Sequence, residues 1–303
     1  MSGKVLNNVP GMKNASPIPE LDARHLSEDV FNRDYVANSR PCVIRGAVKH
    51  WVALEKWRDK EYLKRRSGRH PVCLFRCELH VTKKRLAGHE RNITFAEAID
   101  YLDAEQTERG IVAFPLPPEI LSDVGDFSFL RKTDPAFWYP RVRGFFYRRA
   151  GTAWHMHPFD ETLTCQIIGS KKFGLVSSNH PINFDLRYIF YTEDYYDDPA
   201  AFAEIEGKDV PWLSVTLQEG DALYIPPLWW HGVAPQTNLF GITTAVTWRS
   251  PQHVIAKGIM RMAKGEIDML SRSTAPHYQS LVEVARTLGL ECELAIAAAS
   301  VPS

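Results

Sequence analysis

The sequence predicts a mainly β protein with flanking helices, its strands closed into a barrel or a two-sheet sandwich. Three observations carry this reading. From about residue 111 to 250 the chain breaks into short, aromatic-rich segments, GFFYRR, TLTCQIIG, KKFGLVS, WLSVTL, DALYIP and GITTAVTW, punctuated by Gly and Pro. On either side, over 26–110 and 251–303, much of the chain shifts to helical spacing. With 303 residues, 45% of them hydrophobic and 24% charged, the chain has the make-up of a folded protein with a sizeable core.

The elements follow in order. Residues 1–25 are polar, contain Pro10, Pro17 and Pro19, and read as an extended N-terminal arm. Residues 26–110 read as a mixed helical and strand region packed on the barrel. Ser27 opens a helix-like stretch with Phe31 and Tyr35 four residues apart, PCVIRGAV is a short apolar strand, and Trp51, Leu54, Trp57 and Leu63 mark a second helical stripe. HPVCLFRCEL alternates as a strand does, and Thr94 with Glu97 forms a capping-box pattern ahead of FAEAIDYLDA. Residues 111–250 form the barrel. Residues 251–303 supply two amphipathic helices, one with Val254, Ile255, Ile259, Met262 and Ile267 on its face, the other with Leu281, Val282, Ala285, Leu288 and Leu290. Two such faces exceed what a barrel wall readily covers, so a homodimer built on them is expected, against the alternative that both pack on the barrel exterior.

Charge excludes some partners. Lys plus Arg number 36 and Asp plus Glu 36, so nothing global attracts nucleic acid or an anionic membrane, and neither is expected as a partner. No apolar run is long enough to cross a bilayer, and the start lacks the basic-then-apolar layout of a secretory signal. Five scattered cysteines form no disulfide framework and point to a reducing compartment, with the cytoplasm expected and the nucleus left open. The basic runs KRRSGRH (64–70) and TKKRL (82–86) read as solvated surface. FYTEDYYDDP (190–199) is an acidic, aromatic segment, read as an exposed loop or as a lining of the substrate mouth.

Most of the 11 histidines stand alone. GTAWHMHPFDETL is different, because His155 and His157 are two apart where a strand begins, so both imidazoles face one side. GDALYIPPLWWHGV then places His231 at the end of a strand, after a Gly-Asp turn and two prolines. Two histidines on one strand and a third from another are the means by which a barrel builds a mononuclear site with open positions, and imidazole suits iron, zinc, copper and nickel.

These blocks carry a resemblance. GTxxHxH followed by CQIIGSKKFGLV, and EGDALYIPPLWWHGV, resemble the two metal-binding blocks of the JmjC and cupin-like oxygenases. The nearest group resembled is the one containing the asparaginyl hydroxylase that acts on hypoxia-inducible factor. RPCVIRGAVKHWVALEKW, ITFAEAIDYLDA and PLPPEIL resemble its N-terminal and middle regions, and the likeness spans about 38–250. It implies a double-stranded β-helix, the jelly-roll barrel of cupins. It implies Fe(II) bound by a first histidine, an acid two residues later and a distal histidine, with 2-oxoglutarate as cosubstrate. His155 matches the first position, if one residue is inserted before Gln166, and His231 the last. Thr152 and Lys171 match residues that hold 2-oxoglutarate, and Trp248 matches an aromatic near the site.

The acid position is occupied by His157, a departure from the pattern. Three neutral imidazoles leave a metal more positive than two and a carboxylate. Asp160 or Glu161 is placed to restore the acid, and HMHPFDE also resembles the cupin spacing HxHxxxE with Glu161 as a fourth ligand. The implied function is an Fe(II)- and 2-oxoglutarate-dependent hydroxylase acting on a C–H bond of a protein, peptide or small-molecule substrate. The alternatives are a three-histidine cupin dioxygenase that does not use 2-oxoglutarate and a non-catalytic cupin-like binding module.

Overall fold

The computed structural model describes residues 6, 9–77, 90–105, 109–131, 133–136, 139–157, 159–177, 206–237, 239–251 and 254. The acidic segment 190–199, the run 82–86 and the two C-terminal helical stretches, apart from Val254, lie outside these, and so does the expected dimer surface.

The arm contributes two short strands, β1 (Ser16–Pro17) and β2 (Glu20–Asp22). The Ser27 hydroxyl accepts a hydrogen bond from the Val30 N–H at 3.3 Å and opens α1 (Glu28–Val30), which widens into a π-helical turn over Phe31–Val36. Then come β3 (Cys42–Arg45), α2 (Ala53–Lys56), α3 (Lys60–Ser67), β4 (Pro71–Cys77) and β5 (Glu90–Thr94). The capping box is present: the Thr94 hydroxyl accepts from the Glu97 N–H, and the Glu97 carboxylate accepts from the Thr94 N–H, starting α4 (Phe95–Asp103). β6 (Arg109–Pro115) and α5 (Pro118–Leu121) lead into the barrel.

Among the described residues eight strands build that barrel: β7 (Val142–Arg148), β8 (Thr152–His155), β9 (Asp160–Ile168), β10 (Lys171–Ser177), β11 (Leu213–Leu217), β12 (Ala222–Ile225), β13 (Trp229–Pro235) and β14 (Phe240–Arg249). They divide between two sheets. One has the order β1-β11-β10-β13-β8 and the other β2-β3-β12-β9-β14-β7-β6-β4-β5. Successive strands mostly cross from sheet to sheet, which is the jelly-roll connectivity of a double-stranded β-helix.

Two details differ from expectation. The N-terminal region does not merely pack on the barrel: β3 extends one edge of the larger sheet and β6, β4 and β5 the other, and the expected boundary at residue 110 falls inside β6. His231 is not at the end of a strand but is the third residue of β13, whose prolines and Leu228 (φ 62°) make the turn before it. The aromatic run and the two prolines hide that strand, since neither alternates.

Among the described residues three large apolar clusters hold these layers. The largest lies between the outer face of the larger sheet and the helices, with Trp57, Phe95, Phe114 and Phe146 at its centre. A second fills the barrel through Phe173, Leu175, Leu217, Leu223 and Val233. A third coats the outside of the smaller sheet, where Leu6, Val9 and Met12 of the arm cover Trp154, Trp212 and Trp230. The arm is therefore part of the core, and burying its side chains contributes to stability.

Candidate metal centre and cofactor pocket

β8 and β13 are antiparallel neighbours in the smaller sheet, with His155 directly opposite His231. His157 lies two residues beyond His155, past the end of β8. The ring centroids of His155 and His231 are 4.1 Å apart, and that of His157 is 5.2 Å from the first and 5.0 Å from the second. One nitrogen from each ring falls within 4.8 Å of the others, so the three can close on a single ion.

Two of the rings are oriented from behind. The His231 Nδ1 lies 3.0 Å from the Trp229 carbonyl oxygen, an acceptor only, so Nδ1 carries the proton and Nε2 keeps its lone pair. The His157 Nδ1 lies 2.8 Å from the Thr162 hydroxyl, which leaves its Nε2 as the ligand atom in the same way. Burial, then the neighbouring histidines, hold both His157 and His231 well below the usual imidazole range. Both are therefore neutral at physiological pH, the form that binds a metal.

The acids beside them are engaged elsewhere. The Asp160 carboxylate accepts the Tyr139 N–H at 3.1 Å. Glu161 projects from the opposite face of β9 to Thr162. Its oxygens accept from the Tyr224 hydroxyl at 2.6 Å and the Ser250 hydroxyl at 2.5 Å, in the outer core. Burial pushes its carboxyl up to about 7. The expectation that either acid completes the metal site is thus corrected: among the described residues the convergent ligand set is the three histidines. Trp248 is corrected for the same reason. It pairs with Glu161 across β14 and β9, and its ring stacks on Tyr224 at 6.3 Å, while Thr243 and Ala245, of the other parity, face inward.

The histidines open into a barrel cavity of about 260 Å³. Thr152 and Lys171 line it, as do Thr162, Thr164 and Thr243. Lys171 begins β10 after the Gly169 turn (φ 81°) and is only 2% exposed. Its Nζ sits 3.6 Å from the centre of the Tyr147 ring, a cation–π contact with no carboxylate in range among the described residues. Burial drives its ammonium down to about 7. A buried ammonium facing a cavity without a counter-ion is a receptor for an anion. The Tyr147 hydroxyl is held by Gln166 Nε2 at 3.0 Å, and the Gln166 Oε1 accepts from Thr243 at 3.2 Å, so the floor beneath Lys171 is rigid. The residues present therefore fit both a divalent metal and a dicarboxylate.

Sequence reasoning left out Arg143, Tyr139, Tyr147, Thr162 and Thr243. Alternation marks the odd residues of β7 as one face, but nothing local says which face looks into the barrel.

Comparisons with known proteins agree with this geometry. The chain is 25% identical over 258 residues to Jumonji C domain-containing protein 5 of Drosophila melanogaster, covering 75% of this chain and 59% of that protein. It is 23% identical over 271 residues to the bifunctional arginine demethylase and lysyl-hydroxylase psr-1 of Caenorhabditis briggsae, covering 79% and 62%. It is 26% identical over 255 residues to the human bifunctional peptidase and (3S)-lysyl hydroxylase JMJD7, covering 67% and 76%. The chain thus spans about three fifths of the length of the first two relatives. The finer resemblance to the asparaginyl hydroxylase group rests on the motif blocks alone. A profile of the cupin-like domain matches residues 27–252, from the N-cap of α1 to just past the last barrel strand, and by this match the chain belongs to the cupin-like domain family.

Proposed function

We propose that the protein is an Fe(II)- and 2-oxoglutarate-dependent oxygenase that hydroxylates an unactivated C–H bond of a protein side chain or a small molecule. The observation that carries this reading is one cavity holding both a three-histidine cluster and a buried ammonium with no counter-ion among the described residues. Relatives named as lysyl hydroxylases and an arginine demethylase support it, and they favour a protein or peptide substrate.

In this reading His155, His157 and His231 hold the metal through ring nitrogens, and Thr152 with Lys171 holds the cosubstrate. Bound together, iron and 2-oxoglutarate supply the oxidising power for the hydroxylation. The chain's residues supply the rest. Thr162 and the Trp229 carbonyl fix two ring orientations, Lys171 neutralises the remote carboxylate, and Phe145, Phe173 and Val233 exclude water from the reacting space. The test is anaerobic loading with Fe(II) and then 2-oxoglutarate, followed by air and an assay for succinate. Succinate is the expected product.

The absence of a carboxylate from the convergent set, among the described residues, favours one second reading, a three-histidine dioxygenase acting directly on its substrate. Oxygen uptake without succinate would select it. Assembly and compartment complete the proposal: a homodimer through 253–298, and a cytoplasmic location. The amphipathic pattern supports the first. The free thiols of Cys42 and Cys165 accord with the second. Light scattering that returned the monomer mass of 34.5 kDa would remove the dimer.

A further inference from the structure

Arg143 enters the cavity from β7, on the same face of that strand as Phe145 and Tyr147. Its guanidinium lies 3.9 Å from the centre of the Tyr139 ring and 5.4 Å from that of Phe145. Its Nε is buried and has no hydrogen-bond partner among the described residues. Among the described residues no carboxylate lies within ion-pair distance of it, and none lines the cavity. Asp160 acts on Arg143 only through its charge, and its carboxylate accepts the Tyr139 N–H at 3.1 Å. The Tyr139 ring beneath it lies 5.0 Å from the His157 ring, which places Arg143 beside the metal-binding end of the cavity.

Lys171 marks the other end. Its ammonium rests on Tyr147, four residues along β7 from Arg143, a separation of about 13 Å along a strand. A five-carbon diacid anchored at Lys171 and at the metal leaves the Arg143 guanidinium without a partner. Charge leads to the same result. A divalent ion held by three neutral imidazoles, together with Lys171 and Arg143, exceeds what one dicarboxylate cancels.

We propose that Arg143 docks a carboxylate of the primary substrate, so that this site takes an acidic acceptor and not the cationic lysyl or arginyl side chains named for its relatives. This rests on the oxygenase reading only for what happens after binding. A planar guanidinium held over Tyr139 in the cavity lining is the group that receives a carboxylate by two parallel hydrogen bonds. A lysine or arginine side chain entering the same space beside a bound diacid meets the Arg143 guanidinium and the metal, and is repelled.

The test uses the full chain loaded with Mn(II), whose paramagnetism broadens the proton signals of any small molecule bound near it. The probes are N-acetyl-glutamate amide and its glutamine and lysine counterparts, each with and without 2-oxoglutarate. The glutamate probe should be broadened about tenfold more than the other two. Arg143→Gln should reduce that excess to the control level, while Arg143→Lys, which keeps the charge, should retain part of it. Affinity for 2-oxoglutarate, measured by calorimetry, should stay within about twofold in Arg143→Gln. Equal broadening of all three probes, or undiminished broadening in Arg143→Gln, would overturn the proposal. So would a loss of 2-oxoglutarate affinity as large as that of Lys171→Ala, since Arg143 would then be a cosubstrate group. A chain that does not bind 2-oxoglutarate yet shows Arg143-dependent glutamate broadening would overturn the cosubstrate reading and leave this one standing. A short peptide with one central glutamate, run beside the single-residue probe, separates a protein substrate from a small acid, the tighter of the two naming the source.

Discussion

Thr162 sets the orientation of His157 through the 2.8 Å contact of its hydroxyl with that ring's Nδ1. Replacing it with valine keeps the shape and leaves a buried N–H unsatisfied. Metal affinity in Thr162→Val is expected to fall about 10–100-fold, with Thr162→Ser near the parent, as read by Mn(II) titration calorimetry. Lys171 gives a second residue-scale prediction. Lys171→Ala should weaken 2-oxoglutarate binding at least about tenfold without changing metal content. Its pH dependence follows from burial, which lowers the ammonium from its ordinary 10.5 to about 7. A carboxylate binds only the protonated form. Affinity should therefore fall about tenfold per pH unit above 7, and binding at pH 8 should take up nearly one proton, measurable in buffers of differing ionisation enthalpy. Unchanged affinity from pH 6 to 9 would place the anion elsewhere.

At the scale of the element, β9 does two jobs by alternation. Thr162 and Thr164 face the cavity while Glu161, Leu163 and Cys165 face the outer core. Glu161 is thus a structural carboxyl, held near neutrality by burial with Tyr224 and Ser250 as partners. Its folded value of about 7 lies above the ordinary 4.5, so the folded chain holds the proton more tightly than the unfolded one. The stability it lends is present below 4.5 and lost as pH rises through about 7. Glu161→Gln removes that dependence. Its melting temperature relative to the parent is expected to rise between pH 5 and pH 8, with metal stoichiometry unchanged. A loss of metal in this variant would make Glu161 a ligand after all.

At the scale of the whole molecule, the arm seals the smaller sheet. β1 pairs in parallel with β11, Trp212 Nε1 donates to the Pro10 carbonyl at 2.8 Å, and Met12 lies against Gly174, where a Cβ would meet its methyl carbon at 2.7 Å. Leu6, Val9, Met12 and Ile18 are all at most 2% exposed. Deleting residues 1–18 exposes Trp154, the neighbour of His155, on one face and the β11 edge on the other. Urea unfolding should show a loss of at least about 3 kcal/mol, with weakened metal binding. A truncated chain as stable as the parent would show the arm to be ornamental.

The sequence by itself determined the β texture, the capping box at Thr94, the strand segments and the pairing of His155 with His157, because each depends on neighbours a few residues apart. The HxH and PPLWWHGV blocks also carried the likeness to a metal-binding family. Tertiary structure decided the rest. Whether Glu161 or Thr162 faces the metal is a matter of strand parity, which a single shift of register inverts. That Lys171 has no counter-ion among the described residues, that Trp248 lies in the outer core, and that Arg143 shares a cavity with three histidines all depend on which strands become neighbours. Such proximities join residues tens of positions apart, and no local period records them.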